Sequence, residues 1–142
     1  MRIFLDANVL FSAGKSDGAV RAFLKQLKAR RHILVADGYV MGEARRNLEV
    51  KFPTTIRDFE DLTKRIESCT GTCGSQLPVG IAPELPEKDK PVLTAAIHHR
   101  CRILLTGDKT HFGPLYGRTI QGVEVHSPAS FAVKLGTRFP SG

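Results

Sequence analysis

Apolar residues along the chain follow two kinds of pattern. Short continuous apolar runs, as at 3–5 and 103–105, are typical of strands that are buried on both faces. Longer stretches with apolar residues three and four positions apart indicate amphipathic helices, as at 19–27. The pattern predicts strands at 2–5, 32–36, 102–106 and 123–126, and helices at about 17–31, 38–50, 56–68 and 89–100.

Helices that separate unalternating apolar strands predict an α/β fold, in which a parallel sheet with right-handed crossovers is covered on both faces. The chain has 142 residues, a length that suits one domain spanning 1–142 and allows a core without disulfides or structural metal. No repeat or interdomain linker is visible. We expect the Gly- and Pro-rich stretch 71–86 to be a surface connection and the tail from about 137 to be frayed.

Two acidic residues follow predicted strands directly. Asp6 comes after the first apolar run, and Asp108 comes after the strand at 102–106, separated from it by Gly107. Since the carboxyl ends of parallel strands border the binding crevice of an open α/β sheet, we expect both carboxylates at that edge.

Two more acids belong to predicted helices. Glu43 borders an apolar stripe that includes Val40 and Ala44, a position at which an ionised carboxylate needs a partner, and a cation would serve. Asp89 is expected at or just before a helix start, because Pro91 is tolerated only in a first turn. The helix dipole there would keep its carboxylate ionised.

Each of these acids alone has an ordinary structural explanation: a turn residue, a partner for the helix dipole, or a salt bridge. Together they suggest a site for hard divalent cations, which prefer oxygen ligands. Paired ions of this kind activate water and stabilise the attacking and leaving oxygens of a phosphoryl displacement. The four acids therefore predict metal-dependent hydrolysis of a phosphodiester.

The charge balance indicates a polyanionic partner. The chain has 21 Lys and Arg against 14 Asp and Glu, for a net charge of +7, which favours nucleic acid. Arg21, Lys25 and Lys28 share one predicted helix face, although a solvated face that aids solubility is the alternative. With eight Phe, two Tyr and no Trp there is no obvious base-stacking platform, so contacts to the phosphate backbone are expected to dominate.

The sequence does not favour a membrane protein, a secreted protein or a disulfide-bonded scaffold. No apolar run approaches the length of a membrane span, and the first residues lack the pattern of a signal peptide, so we expect a cytoplasmic protein. Cys69, Cys73 and Cys101 are interpreted as reduced thiols. A zinc site at Cys69 and Cys73 is the less favoured alternative, because no second cysteine pair lies nearby.

Four segments of the chain, each carrying one of the four acids, resemble the motifs of a known family. The segments Ile3-Phe4-Leu5-Asp6-Ala7-Asn8-Val9-Leu10, Gly42-Glu43-Ala44, Asp89 before Leu93-Thr94-Ala95-Ala96, and Leu104-Leu105-Thr106-Gly107-Asp108 resemble the PIN-domain ribonucleases, especially the toxins of VapBC-type toxin–antitoxin modules. The resemblance covers residues 1 to about 126. The segment 110–122 and the cysteine-containing loop follow no pattern of this family.

The resemblance implies a PIN-like three-layer α/β/α fold with a mostly parallel central sheet. It also implies a Mg²⁺- or Mn²⁺-dependent endoribonuclease that cuts single-stranded or structured RNA, with a homodimeric state and a cognate antitoxin as partner. The residues that match the family's metal ligands are Asp6, Glu43, Asp89 and Asp108. Asn8 and Thr106 match its polar helpers, which orient ligands or water; ordinary turn and strand-end hydrogen bonding is the alternative for both.

Two other functions stay open. A haloacid-dehalogenase-like phosphatase also opens with a strand and an Asp, but its motif requires a second acid where this chain has Asn8. A catalytically silent nucleic-acid-binding or adaptor domain would keep the fold and the basic surface. The presence of all four acids favours the nuclease over the silent domain.

Overall fold

The computed structural model of the protein describes residues 1–69 and 80–140. Its main elements, in chain order, are β1 (Arg2–Leu5), α1 (Ala7–Lys15), α2 (Ala19–Ala29), β2 (Ile33–Asp37), α3 (Gly38–Lys51), α4 (Ile56–Thr63), β3 (Glu67–Cys69), α5 (Lys90–His98), β4 (Ile103–Leu105), β5 (Thr119–Ile120), β6 (Val123–His126) and α6 (Pro128–Lys134). Short 3-10 turns lie at Pro53–Thr55, Glu87–Asp89 and Gly113–Leu115.

The strands form one central sheet in the order β3-β2-β1-β4-β6-β5. Every neighbouring pair is parallel except β5 and β6, which form an antiparallel hairpin. Phe4 of β1 pairs with Val35 on one side and with Leu104 on the other, and all three side chains are fully buried. The predicted α/β class and mostly parallel sheet are confirmed, with helices covering the sheet in a three-layer α/β/α arrangement.

The strand order places a crevice beside β1. From this strand the chain proceeds to β2 and β3 on one side of the sheet, and later to β4 and β6 on the other. The connections after β1 and after β4 therefore run to opposite sides, which leaves a crevice between them at the carboxyl ends of these two strands. Open α/β sheets bind ligands in such a crevice. Asp6 and Thr106 directly follow these two strands.

Helix α1 was absent from the sequence prediction, which passed from the first strand to a helix at about 17–31. It begins directly after β1, and its N-cap is Asp6, whose side chain accepts a hydrogen bond from the Ala7 amide. A Cβ atom at Gly14 would lie 2.8 Å from Cδ1 of Leu48 and 3.1 Å from Cδ1 of Phe59. The missing side chain therefore lets α1 pack closely against α3 and α4, which compensates for the low helix propensity of glycine.

The carboxyl end of α1 is held by an arginine of α2. The Arg21 side chain donates from Nε to the carbonyl oxygen of Ala13 at 2.7 Å and from Nη2 to that of Gly14 at 2.9 Å. Its Nη1 lies 3.5 Å from Oδ2 of Asp58, and the arginine side chain is only 11% exposed. These carbonyls are among those that a helix end leaves without intrahelical partners, so Arg21 satisfies acceptors that would otherwise be unpaired.

We expect Arg21→Met to lower the free energy of unfolding by about 1.5–3 kcal/mol, because two hydrogen bonds from a charged donor are lost and their acceptors remain. Urea unfolding followed by circular dichroism measures this change. Lys25→Met on the same helix is the matched control, since Lys25 is exposed, and it should change stability by less than about 0.5 kcal/mol. Equal effects of the two substitutions would contradict the structural role of Arg21.

The predicted end of the helix at 56–68 was wrong, and the strand that follows α4 was not predicted. The helix expected at 56–68 ends at Thr63, and the chain then turns into β3, which pairs in parallel with β2. Glu67 in β3 also forms an ion pair with Arg2 at 2.7 Å. Pairing at the sheet edge overrides the helical pattern that continues through Ile66, because strand formation depends mainly on tertiary context.

The strand predicted at 123–126 is confirmed as β6, whereas β5, which completes a hairpin with it, and the final helix α6 were not predicted. Gln121 and Gly122 connect the two strands with φ values of 51° and 84°, the pair of positive angles that a tight two-residue hairpin needs. Helix α6 begins with a capping box, in which the Ser127 hydroxyl accepts from the Ser130 amide and the Ser130 hydroxyl accepts from the Ser127 amide.

The cysteines were predicted to be reduced thiols. Cys69 and Cys101 are free thiols, and burial raises the pKa of Cys101 to about 12. Cys73, and with it the alternative zinc pair, lies outside the described residues, as does most of the connection expected at 71–86.

In the tail that was expected to fray, the centre of the Phe139 ring lies 5.3 Å from that of the Phe23 ring, so this residue contacts the core. None of the described helices is both long and apolar enough to cross a bilayer.

Candidate functional site

A cleft of about 260 Å³ opens at the carboxyl ends of β1 and β4. All four acids singled out in the sequence line it, although they come from four separate segments of the chain. Among the described residues, the cleft is lined by Asp6, Ala7, Asn8, Phe11, Tyr39, Glu43, Asn47, Lys51, Lys88, Asp89, Val92, Asp108 and His111. The cleft therefore combines a concentration of negative charge with basic and aromatic side chains.

Asp6 is the most buried of the four acids, with 6% of its surface exposed. Its Oδ1 accepts a hydrogen bond from the Ala7 amide at 2.7 Å. Its Oδ2 accepts from the Thr106 hydroxyl at 2.8 Å and from Nδ2 of Asn8 at 3.2 Å. These contacts fix the orientation of the carboxylate at the base of the cleft.

Thr106 and Asn8, the two predicted helpers, connect the ends of β1 and β4. The Thr106 hydroxyl accepts hydrogen bonds from Nδ2 of Asn8 at 3.3 Å and from the Asp108 amide at 3.2 Å. Oδ1 of Asn8 accepts from the Gly107 amide at 2.7 Å. The Tyr116 hydroxyl donates to the Thr106 carbonyl oxygen at 2.9 Å. The fully buried Thr106 therefore links Asp6 to the backbone that carries Asp108.

The environment of Asp6 opposes its negative charge. Burial, reinforced by the nearby carboxylates of Glu43 and Asp89, raises the pKa of Asp6 to about 6. The hydrogen bonds from Thr106 and from the Ala7 amide act in the opposite direction. Like charges held close together in a partly dry cleft favour either proton uptake or a bound cation.

Glu43 lies on the exposed part of α3 and faces the same cleft. As the sequence pattern indicated, it borders a buried stripe, which consists of Val40, Ala44 and Leu48. Within residues 1–69 and 80–140, no hydrogen bond or ion pair reaches its carboxylate. Its charge is therefore available to a ligand in the cleft.

Asp89 and Asp108 approach each other through a histidine that the sequence analysis missed. Nδ1 of His111 lies 2.9 Å from Oδ2 of Asp89 and 3.0 Å from Oδ2 of Asp108. These three side chains each offer one ligand atom within 4.8 Å of the other two, and the group does not extend to Asp6 or Glu43. The four acids thus share one cleft, but only two of them converge on a common point.

The donor atoms fit a divalent cation. Oδ2 of Asp89 and Nδ1 of His111 are buried, and within the described part of the chain neither has a partner in hydrogen-bond geometry. Buried polar atoms without such partners are uncommon and require an explanation, which a bound ion supplies. Carboxylate oxygens with one imidazole nitrogen form a donor set that suits Mn²⁺ and, through the oxygens, Mg²⁺.

Basic and aromatic side chains border the acidic cleft. Lys51 and Lys88 line it, as does Tyr39, which presents half of its surface to solvent. The Lys51 ammonium lies 5.7 Å from the centre of the Phe11 ring. The small number of aromatic residues did not indicate that one of them would be exposed at the cleft, because this depends on the fold.

The basic helix face predicted from the sequence lies elsewhere. Arg21, Lys25 and Lys28 line a second cleft, between α2 and α4, together with Asp58 and Asp61. The Arg21 guanidinium also donates hydrogen bonds to carbonyl oxygens at the end of α1. Positive charge next to the four acids therefore comes from Lys51 and Lys88 instead.

Comparison with known proteins gives a structural likeness and no sequence match. No protein-family profile and no curated protein sequence matches the chain. The fold is similar to a chain of VapBC2 from Rickettsia felis bound to a DNA fragment from its promoter, with a TM-score of 0.61, 15% identity, and coverage of 89% of this chain and 98% of that one. It is also similar to a chain of FitAcB from Neisseria gonorrhoeae, with a TM-score of 0.50, 16% identity, and coverage of 89% and 97%. These likenesses show that the chain has the PIN-like three-layer α/β/α fold that the sequence resemblance implied.

Proposed function

We propose that this protein is a metal-dependent endoribonuclease that hydrolyses phosphodiester bonds of single-stranded RNA. The observation that carries the proposal is the convergence of four acids from separate segments on one cleft, beside two lysines and an exposed tyrosine. Acids alone would repel a phosphate backbone, so the arrangement makes chemical sense with a cation among them. We infer that the protein is the toxin of a toxin–antitoxin pair, which accords with the sequence resemblance and with the likeness to VapBC2.

The four carboxylates would hold Mg²⁺ or Mn²⁺. Bound there, the cation would activate water for attack on phosphorus and offset the negative charge that develops on the phosphate oxygens. Asp6 is held in place by Thr106 and Asn8, so its carboxylate needs little reorganisation to act as a ligand. Glu43 has no competing partner in the described residues.

Lys51, Lys88 and Tyr39 are suited to hold the RNA. The two ammonium groups can contact phosphates of an RNA bound in the cleft, and the net charge of +7 favours approach of any nucleic acid. Tyr39 can stack on an unpaired base, which a duplex does not offer. Base stacking therefore favours single strands or loops of structured RNA as substrates.

We expect Tyr39→Leu to weaken binding of single-stranded RNA about 5- to 150-fold, because stacking of one base on an aromatic ring contributes roughly 1–3 kcal/mol. Fluorescence anisotropy with a labelled RNA measures the affinity, in an Asp6→Asn background so that the RNA is not cut. Tyr39→Phe is the matched control, since it keeps the ring and loses only the hydroxyl. If the leucine and phenylalanine variants bind RNA equally well, Tyr39 does not stack on a base.

A panel of substrates separates the nuclease from the alternatives. Purified protein is incubated with single-stranded RNA, duplex RNA, single-stranded DNA and a small phosphomonoester, each with Mg²⁺, Mn²⁺ or a chelator. We expect cleavage of the single-stranded RNA alone, and only with metal. Turnover of the monoester would instead support a phosphatase. A folded protein that binds RNA without cutting it would support a silent binding domain.

The partner proposals rest on the family resemblance and the structural neighbours rather than on this cleft. We propose a cytoplasmic homodimer that a cognate antitoxin silences by covering the acidic cleft. Analytical ultracentrifugation of the protein alone tests the dimer. Loss of RNA cleavage on addition of a candidate antitoxin protein tests the silencing, and full activity of a stable complex of the two proteins would contradict silencing at the cleft.

A further inference from the structure

His111 belongs to the acidic cleft, yet a site of four carboxylates does not require it. Its Nδ1 lies 2.9 Å from Oδ2 of Asp89 and 3.0 Å from Oδ2 of Asp108. A single imidazole nitrogen thus contacts one oxygen from each of two acids that belong to different segments. Asp89, Asp108 and His111 are called the Asp-Asp-His group below.

The short distances in the Asp-Asp-His group do not arise from well-formed hydrogen bonds. Nδ1 of His111 and Oδ2 of Asp89 are both buried and both lack a partner in hydrogen-bond geometry within the described residues. Burying such atoms without hydrogen bonds destabilises a folded protein, because each atom has given up its hydrogen bonds to water. Adjacent ligands of an octahedral ion at about 2.1 Å stand roughly 3.0 Å apart. Nδ1 of His111 stands at this spacing from each of the two carboxylate oxygens. The atoms are therefore placed as neighbouring ligands would be.

The turn after β4 holds the histidine in this position. Oδ1 of Asp108 accepts a hydrogen bond from the His111 amide at 3.0 Å, and the Asp108 carbonyl oxygen accepts from the Phe112 amide at 3.0 Å. Phe112 is fully buried and anchors the turn in the core. Because Oδ1 of Asp108 is engaged by the backbone, Oδ2 is the oxygen that faces the imidazole.

We propose that Nδ1 of His111 is a direct ligand of the cation held by Asp89 and Asp108, and that this nitrogen makes the site selective for Mn²⁺ over Mg²⁺. The proposal deepens the proposed function and rests on it for the presence of a cation. Imidazole is a favourable ligand for first-row transition metals, whereas Mg²⁺ prefers oxygen ligands and retains water. Replacing one oxygen ligand by this nitrogen therefore favours Mn²⁺.

Pulsed electron paramagnetic resonance of Mn²⁺ added to the metal-free protein detects a directly bound nitrogen through its magnetic coupling. We expect this ¹⁴N coupling in the wild type and its replacement by a ¹⁵N signal when the protein is made with ¹⁵N-labelled histidine. His111 is the histidine among the described residues that lines the cleft. The coupling should be absent in His111→Gln, which offers a neutral oxygen in place of the nitrogen, and should persist in His98→Gln at the exposed end of α5.

Calorimetric titration gives a second readout that does not depend on RNA cleavage. We expect His111→Gln to lower the affinity for Mn²⁺ at least about tenfold and the affinity for Mg²⁺ less than about threefold. The matched His98→Gln variant should leave both affinities unchanged. A thermal melt of each variant without metal confirms that the titrations compare folded proteins.

Three results would overturn the proposal. Bound Mn²⁺ without nitrogen coupling in the wild type would exclude His111 as a ligand, and this test remains decisive even if His111→Gln fails to fold. Persistence of the coupling in a folded His111→Gln would assign the nitrogen to another residue. Absence of Mn²⁺ binding in the wild type would remove the site itself. In the first two cases, the proposed function would stand if RNA cleavage still required Mn²⁺. RNA cleavage in chelator is a separate result, and it would contradict the metal dependence of the proposed nuclease.

Discussion

Asp6→Asn is expected to reduce metal-dependent RNA cleavage at least about a hundredfold, because a cation's stabilisation of the transition state amounts to several kcal/mol. The substitution removes one negative charge and leaves an oxygen that can still accept from the Ala7 amide. The N-cap of α1 is thereby retained, so the protein should still fold. Single-turnover cleavage of an end-labelled RNA measures the loss, and far-ultraviolet circular dichroism monitors the fold.

Asp17→Asn is the matched control for Asp6→Asn. Asp17 is exposed in the connection between α1 and α2, and it does not line the acidic cleft. The two substitutions change the net charge equally, so a general electrostatic effect on RNA binding would appear in both. We expect the control to cut RNA at the wild-type rate. Cleavage by Asp6→Asn at that same rate would show that Asp6 is not part of the catalytic site.

Thr106→Val is expected to impair both stability and metal binding. Valine keeps the shape of threonine but removes the hydroxyl that donates to Oδ2 of Asp6 at 2.8 Å and accepts from Asn8 and from the Asp108 amide. With these groups buried or partly buried, we expect the free energy of unfolding to fall by about 1–3 kcal/mol. Metal affinity should fall about 10- to 100-fold, the usual effect of removing a group that orients a ligand.

Thr106→Ser tests whether the hydroxyl alone accounts for these losses. It retains the donor and acceptor and removes only a methyl group, so metal affinity should remain near the wild-type value. Calorimetric titration with Mn²⁺ and urea unfolding of the metal-free protein separate the two effects. If the serine and valine variants bind Mn²⁺ with equal affinity, Thr106 contributes packing rather than orientation of Asp6.

The sequence predicted the central elements because their patterns are local. The runs that became β1 and β4 are apolar throughout, as expected of strands buried on both faces, and the stripe of α3 repeats at helical spacing. Helix α1 was missed because it follows β1 without a connecting loop and contains Gly14, a residue of low helix propensity, in its last turn. Its stability depends on tertiary contacts with Leu48, Phe59 and Arg21, which no local pattern contains.

The candidate site was predictable to the extent that strand ends determine it. Asp6 and Asp108 lie at one edge of the sheet because their strands are parallel neighbours. His111 was missed because its position depends on the backbone turn that begins at Asp108, in a segment without a family pattern. The spacing Asp-x-x-His was the one available signal, and without the turn it is too common to interpret. Tyr39 was missed because exposure at a cleft wall is a property of the fold.

Product analysis of the RNA cut by the wild-type protein with Mn²⁺ is the most direct test of metal-dependent hydrolysis. Attack by water leaves one product end with a phosphate and the other with a free hydroxyl, whereas attack by the neighbouring 2′-hydroxyl leaves a 2′,3′-cyclic phosphate. Mass spectrometry of a short single-stranded RNA distinguishes these ends. We expect a linear phosphate on one product end and a hydroxyl on the other, formed with metal and absent in chelator. Cyclic phosphate ends, or equal cleavage in chelator, would contradict hydrolysis by a cation held at the four acids.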